Sequence, residues 1–184
     1  MYSRDLKLIK KFYIVTELDI LTSNYFKHKN IAVIINFKNQ PDSSIIRKIV
    51  KKNIYNKIFI SNNTKLITNK KIQGIYLSSY NNKIFLSNKN HVFNYDVIGG
   101  AHNLTDIRKK IQLGCKIIFL SPIFKSTSSP EKKPIGLVKY LLLSKLFKVE
   151  IYPLGGVFPK KIGWPNNVNK FSGISYFKKK PQQT

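Results

Sequence analysis

Ser126 and Ser128 lie in the run Lys125-Ser126-Thr127-Ser128-Ser129-Pro130, which follows the apolar segment Lys116-Ile117-Ile118-Phe119-Leu120. Downstream, Leu154-Gly155-Gly156 closes a second apolar segment. Small hydroxyls and glycine N–H groups suit oxyanions, because a glycine lets the main chain approach with no side chain in the way. If both segments are strands of one parallel sheet, these groups share the rim where α/β folds hold phosphorylated small molecules. The same residues would also serve as a polar turn and a tight strand end. His102 follows Asp96-Val97-Ile98-Gly99-Gly100-Ala101 on the same kind of rim and suits acid–base work or donation to a phosphate. A plain capping histidine ahead of Asn103 is the alternative.

The elements that would position these groups alternate along the chain. Phe12 to Thr16, Ile31 to Phe37, Lys57 to Ser61, Gly74 to Leu77, Asp96 to Ala101, Lys116 to Ser121, Val149 to Leu154 and Gly173 to Phe177 read as strands. Pro41-Asp42-Ser43-Ser44 caps a helix with Ile45, Ile46, Ile49 and Val50 on one stripe. A second helix begins at Asn103, turns Leu104, Ile107 and Ile111 inward and stops at Gly114, and a third runs from Leu137 to Phe147. Eight strands predict a (β/α)8 TIM barrel, small for a fold of about 250 residues, with several shortened helices. Leu18–Asn30, Ser78–Tyr95 and Phe158–Lys170 are too short or too polar for full helices. A doubly wound open sheet with fewer strands is the competing arrangement.

The 184 residues make one domain, 1–184, with 178–184 expected as a frayed tail. A hydrophobic content of 42% argues against disorder. The net charge of +25 raises nucleic acid as a partner. Yet only Arg4, Arg47 and Arg108 among the 33 basic residues supply the bidentate fork suited to phosphate and guanine. Abundant Lys, Asn, Ile, Phe and Tyr beside two alanines, Ala32 and Ala101, fit an AT-rich coding bias and a solvated lysine surface. Cys115, the single cysteine, excludes an internal disulfide and reads as a small core residue. Met1 to Lys11 lacks the apolar run of a signal peptide, and no stretch approaches the roughly 20 apolar residues of a membrane span. A cytoplasmic location without membrane partners is therefore expected.

Ile98-Gly99-Gly100-Ala101-His102-Asn103, Leu120-Ser121-Pro122-Ile123-Phe124, the hydroxyl loop, Pro134-Ile135-Gly136 and Leu154-Gly155-Gly156-Val157 occur in the order and spacing of one family. Over about Asp96 to Val157 the chain resembles the thiamine-phosphate synthase/TenI barrels. Gly74-Ile75-Tyr76-Leu77 falls where that family has a Gly-hydrophobic-His-Leu strand, and the first 60 residues match in outline only. The resemblance implies thiamine biosynthesis: hydroxymethylpyrimidine diphosphate loses pyrophosphate, and a thiazole phosphate captures the resulting cation. It implies a thiazole-phosphate site at Ser126, Ser128, Gly136, Gly155, Gly156 and, on the last strand, Ser175.

The diphosphate side departs from the family. Asn36-Phe37-Lys38-Asn39-Gln40 replaces Gln-hydrophobic-Arg-Glu-Lys, which leaves Asn36 and one cation, Lys38. Asn62-Asn63 replaces an Asn-Asp pair, so Mg²⁺ is implied as the cofactor while its expected carboxylate is missing. Pro122 stands where the isomerase branch has a histidine, as it does in synthases.

Three functions fit these residues. The first is an active but divergent thiamine-phosphate synthase, the second a non-catalytic homologue that binds a phosphorylated thiazole or related intermediate. The third is a basic nucleic-acid-binding protein, disfavoured by the scarcity of arginine. If the lysines are compositional, oligonucleotide binding in a filter or anisotropy titration should be weak and fall steeply with salt. Tight, salt-resistant binding of one defined sequence would promote the third reading.

Overall fold

The computed structural model describes residues 11–15, 31–36, 43–52, 57–62, 72–81, 95–126, 130–157 and 171–173. Eight strands run β1 (Lys11–Val15), β2 (Ile31–Ile35), β3 (Ile58–Ser61), β4 (Ile72–Leu77), β5 (Asp96–Ala101), β6 (Ile117–Leu120), β7 (Glu150–Pro153) and β8 (Phe171–Gly173). The described helices are α1 (Ser43–Lys52), α2 (Leu104–Gln112) and α3 (Leu137–Leu146). The strands form one sheet in the order β7-β6-β5-β4-β3-β2-β1-β8, and every pairing is parallel. This is a parallel α/β sheet of TIM type. Its two end strands meet through the Ser172 hydroxyl, which donates to the Pro153 carbonyl at 2.9 Å.

The strands are mainly apolar because they feed two cores. Ala32, Ile34, Phe59, Tyr76, Ile98, Ile117, Phe119 and Tyr152 form the cluster on one face. The intervening residues, among them Ile75, Leu77, Val97, Ala101, Ile118, Leu120 and Ile151, pack the other face against Ile107 of α2 and Tyr140 and Leu143 of α3. Period-two alternation therefore sorts apolar residues between two interiors instead of between interior and water.

Ile46, Ile49 and Val50 of α1 are buried as the stripe requires. Asn103 caps α2, its Oδ1 accepting from Asp106 N at 2.8 Å, and Gly114 follows the helix at φ 76°. One expectation is corrected here: Ile111 is 37% exposed, and Lys110 takes the buried position. The last strand is also shifted, since β8 begins at Phe171, ahead of Gly173, while Ile174 to Phe177 lie outside the described residues. The proposed frayed end at 178–184 lies outside them too. Cys115 is buried as expected, and burial pushes its thiol up to about 12. Among the described residues no helix is long and apolar enough to cross a membrane.

Gly74 is set by a close approach: a Cβ there would meet the Asp96 carbonyl oxygen at 1.9 Å. The obstacle is main chain of the paired strand, so it yields only if β4 and β5 separate. Gly74→Ala should cost about 3 kcal/mol or abolish folding, measured by denaturant titration. A change below roughly 0.5 kcal/mol would contradict this packing.

Candidate functional site

Because all eight strands are parallel, their C-terminal ends share one rim. That rim brings together Asn36 after β2, Asn62 after β3, Ser78–Asn81 after β4, His102 after β5, Ser121–Ser126 after β6 and Leu154–Gly156 after β7. Of the sequence-predicted site residues, Asn36, Asn62, His102, Ser126, Gly155 and Gly156 thus lie on one side of the sheet. Lys38, Asn63, Ser128 and Ser175 fall outside the described residues.

The loops after β6 and β7 are laid main chain against main chain. Ile123 N donates to Leu154 O at 3.0 Å and Phe124 N to Gly155 O at 3.1 Å. Gly155 and Gly156 have φ of 83° and 66°, a region that side chains avoid. A Cβ on Gly156 would also sit 2.6 Å from the Lys125 carbonyl oxygen. Both glycines are therefore required by the turn itself, and among the described residues their N–H groups meet no main-chain acceptor. The hydroxyl loop closes on itself at its base, where Ile135 N donates to Pro122 O at 2.9 Å and Gly136 N to Ile123 O at 3.0 Å. Gly136, at φ 84°, then opens α3. Its N–H is spent on that closure.

On the opposite side the rim is stitched by its own amides. Asn62 has a left-handed φ of 51°, and its Oδ1 accepts from Ser78 N at 3.1 Å, Ser78 Oγ at 3.2 Å and Asn81 Nδ2 at 3.0 Å. Its Nδ2 donates to Ser78 Oγ at 3.0 Å. His102 ties two further loops, those after β4 and β6. Its Nδ1 lies 2.6 Å from the Ser121 carbonyl, which can only accept, so Nδ1 carries the proton. In the neutral ring Nε2 is then the acceptor, taking Ser79 Oγ at 3.0 Å and Lys132 Nζ at 3.1 Å.

Among the described residues, two buried polar atoms on this rim have no hydrogen-bond partner, Asn36 Oδ1 and Ser61 Oγ. Ile35 pairs with Ile60, so the two residues are adjacent across β2 and β3. Below the rim, Phe119 packs edge-on to Tyr76 at 6.0 Å and tilted to Tyr152 at 5.7 Å. The Tyr76 hydroxyl would lie 2.5 Å from a Cβ on Gly100, so it fills the room above that glycine. Burial holds the Tyr76 phenol well above its ordinary pKa, with Tyr80 adding to the shift.

The described residues do not fit Mg²⁺. No group of three His, Cys, Asp or Glu side chains converges among them. Asn62 Oδ1 is neutral and already accepts three hydrogen bonds, and Asp106 Oδ2 accepts from His102 N at 2.9 Å in the α2 cap. Asn62 thus offers a hard cation no anionic oxygen.

Sequence reasoning missed Ser79, Lys110 and Lys132. The Lys132-Lys133 pair in the hydroxyl loop was a visible cue for the last, since it places cations close to the rim. Lys110 gave no cue, because its burial depends on a glycine in another element.

No protein-family model matches the chain. It is 37% identical over 86 residues to a protein provisionally named thiamine-phosphate synthase 2 in Aquifex aeolicus, covering 46% of each chain. It is 27% identical over 135 residues to a thiamine-phosphate synthase of Prochlorococcus marinus, covering 70% of this chain and 38% of that one. The matches thus span less than half of either relative. Among solved structures, a thiamine phosphate pyrophosphorylase from Pyrococcus furiosus superposes with a TM-score of 0.67 at 15% identity, over 92% of this chain and 88% of that one. The 2-keto-3-deoxy-6-phosphogluconate aldolase of Zymomonas mobilis follows at 0.61 and 13% identity, over 93% and 83%, which speaks for the fold alone. The chain is similar to the thiamine-phosphate synthases in sequence over part of their length, and to a thiamine phosphate pyrophosphorylase in fold.

Proposed function

We propose that the chain is a single-domain, thiamine-phosphate-synthase-like protein of thiamine biosynthesis whose rim binds a phosphorylated thiazole or a related intermediate. In this reading residues 1–184 close as a complete (β/α)8 barrel in the cytoplasm, and the Ser172–Pro153 hydrogen bond between the end strands supports that closure. The observation that carries the reading is the joined β6–β7 edge. Ser126 and the N–H groups of Gly155 and Gly156 stand on one small arc, as a phosphate monoester requires. Ser128 and Ser175 would complete the phosphate contacts. The buried, unpartnered Asn36 Oδ1 and Ser61 Oγ are suited to polar hydrogens of the ligand's ring or substituents.

The diphosphate side supports binding more than turnover. Pyrophosphate departure builds negative charge that preorganised cations must meet, and each missing stabiliser typically costs ~10²–10³ in rate. A lysine at positions 38 and 132 brings a point charge without arginine's bidentate fork, and the Asn62 amide is occupied by the rim. Mg²⁺ therefore has no assigned role here. His102 would hold its proton on Nδ1 at the Ser121 carbonyl and offer Nε2 to the ligand once Ser79 or Lys132 turns away. A non-catalytic ligand-binding homologue is the alternative with the most support. Nucleic-acid binding comes third.

Calorimetric titration should show thiazole phosphate binding that is weakened by a Ser126→Ala, Ser128→Ala double substitution. Supplied with pyrimidine diphosphate, thiazole phosphate and Mg²⁺, the unmodified protein should form thiamine phosphate very slowly or not at all. Asn63→Asp with Gln40→Lys should raise any residual rate. Robust Mg²⁺-dependent turnover without those changes would overturn this account of the diphosphate side, and failure to bind thiazole phosphate would overturn the reading as a whole.

A further inference from the structure

Lys110 is the one described lysine buried to 0% exposure, and it lies on α2, outside the rim. Its Nζ donates to the Ser78 carbonyl at 2.7 Å and also to the Asn81 carbonyl. The aliphatic stem reaches those carbonyls by crossing β5 at Gly99. A Cβ at that position would meet Lys110 Cδ at 3.0 Å and Cγ at 3.1 Å, with Cys115 Sγ at 2.9 Å. Gly99 is therefore the gap through which a helix lysine reaches a loop after β4.

The loop it reaches is the 78–81 turn, closed by Asn81 N donating to Ser78 O at 3.1 Å. From this turn Ser78 and Asn81 hold the Asn62 amide, and Ser79 meets His102 Nε2. Burial lowers the pKa of the ammonium, while Asp106 one turn earlier opposes that effect. The cost of burying a charge is offset here by charge-assisted bonds to two carbonyls.

We propose that Lys110 is a positioning residue of the binding rim: threaded past Gly99, its ammonium fixes the 78–81 turn and thereby sets Ser79 against His102 and the Asn62 amide in place. The functional meaning of this role rests on the rim being the ligand site, as proposed above. The structural coupling does not, so the two are tested separately.

Lys110→Met keeps the stem and removes the charge. Hydrogen exchange should show the Asn81 amide losing protection by about tenfold or more, the scale of a lost charged hydrogen bond, while β6 amides keep theirs. With ¹⁵N-labelled histidine, the His102 ring signals should shift in Lys110→Met and in Ser79→Ala. The double variant should add little to either, because both act through one contact. Thiazole phosphate affinity should fall by roughly tenfold in Lys110→Met. If that variant does not fold, Gly99→Ala crowds the stem while keeping the charge, and it should loosen the Asn81 amide in the same direction. Unchanged Asn81 exchange and unchanged His102 signals in whichever variant folds would overturn the proposal. If wild-type protein ignores thiazole phosphate while the variants show these shifts, Lys110 stands as the support of the turn and the ligand reading falls instead.

Discussion

Parallel pairing of strands that are buried on both faces is the constraint from which the site follows. Where successive residues of β4, β5, β6 and β7 enter two different apolar clusters, few positions are left for polar side chains, and those present (Gln73, Asp96 and Glu150) stand at or next to strand starts. Hydrogen-bonding chemistry is pushed to strand ends. Parallelism then gathers the C-terminal ends on one side, so Asn36, Asn62, His102, Ser126 and Gly155 share one rim although they are spread over most of the chain. The rim is a consequence of the sheet, and its chemistry is set by which residues happen to end each strand.

What ends the strands differs around the rim, and hydrogen-bond satisfaction separates two regions. After β3, β4 and β5 the polar groups pair with one another: Asn62 with Ser78 and Asn81, and His102 with Ser79 and Ser121. Such a network, once each member has its partner, resists change, because removing one member strands the others in a poorly solvated place. After β6 and β7 the loops join through main-chain bonds, and positive-φ glycines leave their N–H groups without main-chain acceptors among the described residues. The first region is internally satisfied apart from Ser61 Oγ at its edge. The second has capacity left for a ligand.

How far this could be read from sequence follows the same division. β5 and β6 were legible because an apolar segment ending in small or hydroxyl residues has one natural place in a parallel sheet. The α2 boundaries were legible because Asn103 and Gly114 are local signals of cap and stop. β8 was placed two residues late because Phe171 and Ser172 carry too little pattern over three residues to outweigh the Ile-Tyr-Phe run that follows Gly173. Lys110 was read as part of a solvated surface and Ile111 as core, because α2's orientation is decided by Gly99 on β5, a contact between separate elements. At Asn62 the sequence showed the loss of a carboxylate but not the reuse of the amide. That reuse needs Ser78 and Asn81, which lie 16 and 19 residues away.

The reuse bears on the proposal that this rim binds a phosphorylated ligand more readily than it turns one over. A bound phosphate needs only a favourable local field and a few donors, which glycine N–H groups, loop hydroxyls and nearby lysines supply even when some of them move. A departing pyrophosphate needs charge stabilisation that is already in place, because reorganising donors during the reaction adds to the barrier. Asn62 and His102 are each held by several neighbours within the protein, whereas Lys132 is an exposed side chain that reaches the rim through its contact with His102. Order and charge therefore sit on different residues. A net charge of +25 can draw phosphorylated molecules toward the mouth from any direction, but it does not substitute for cations fixed where the leaving group forms.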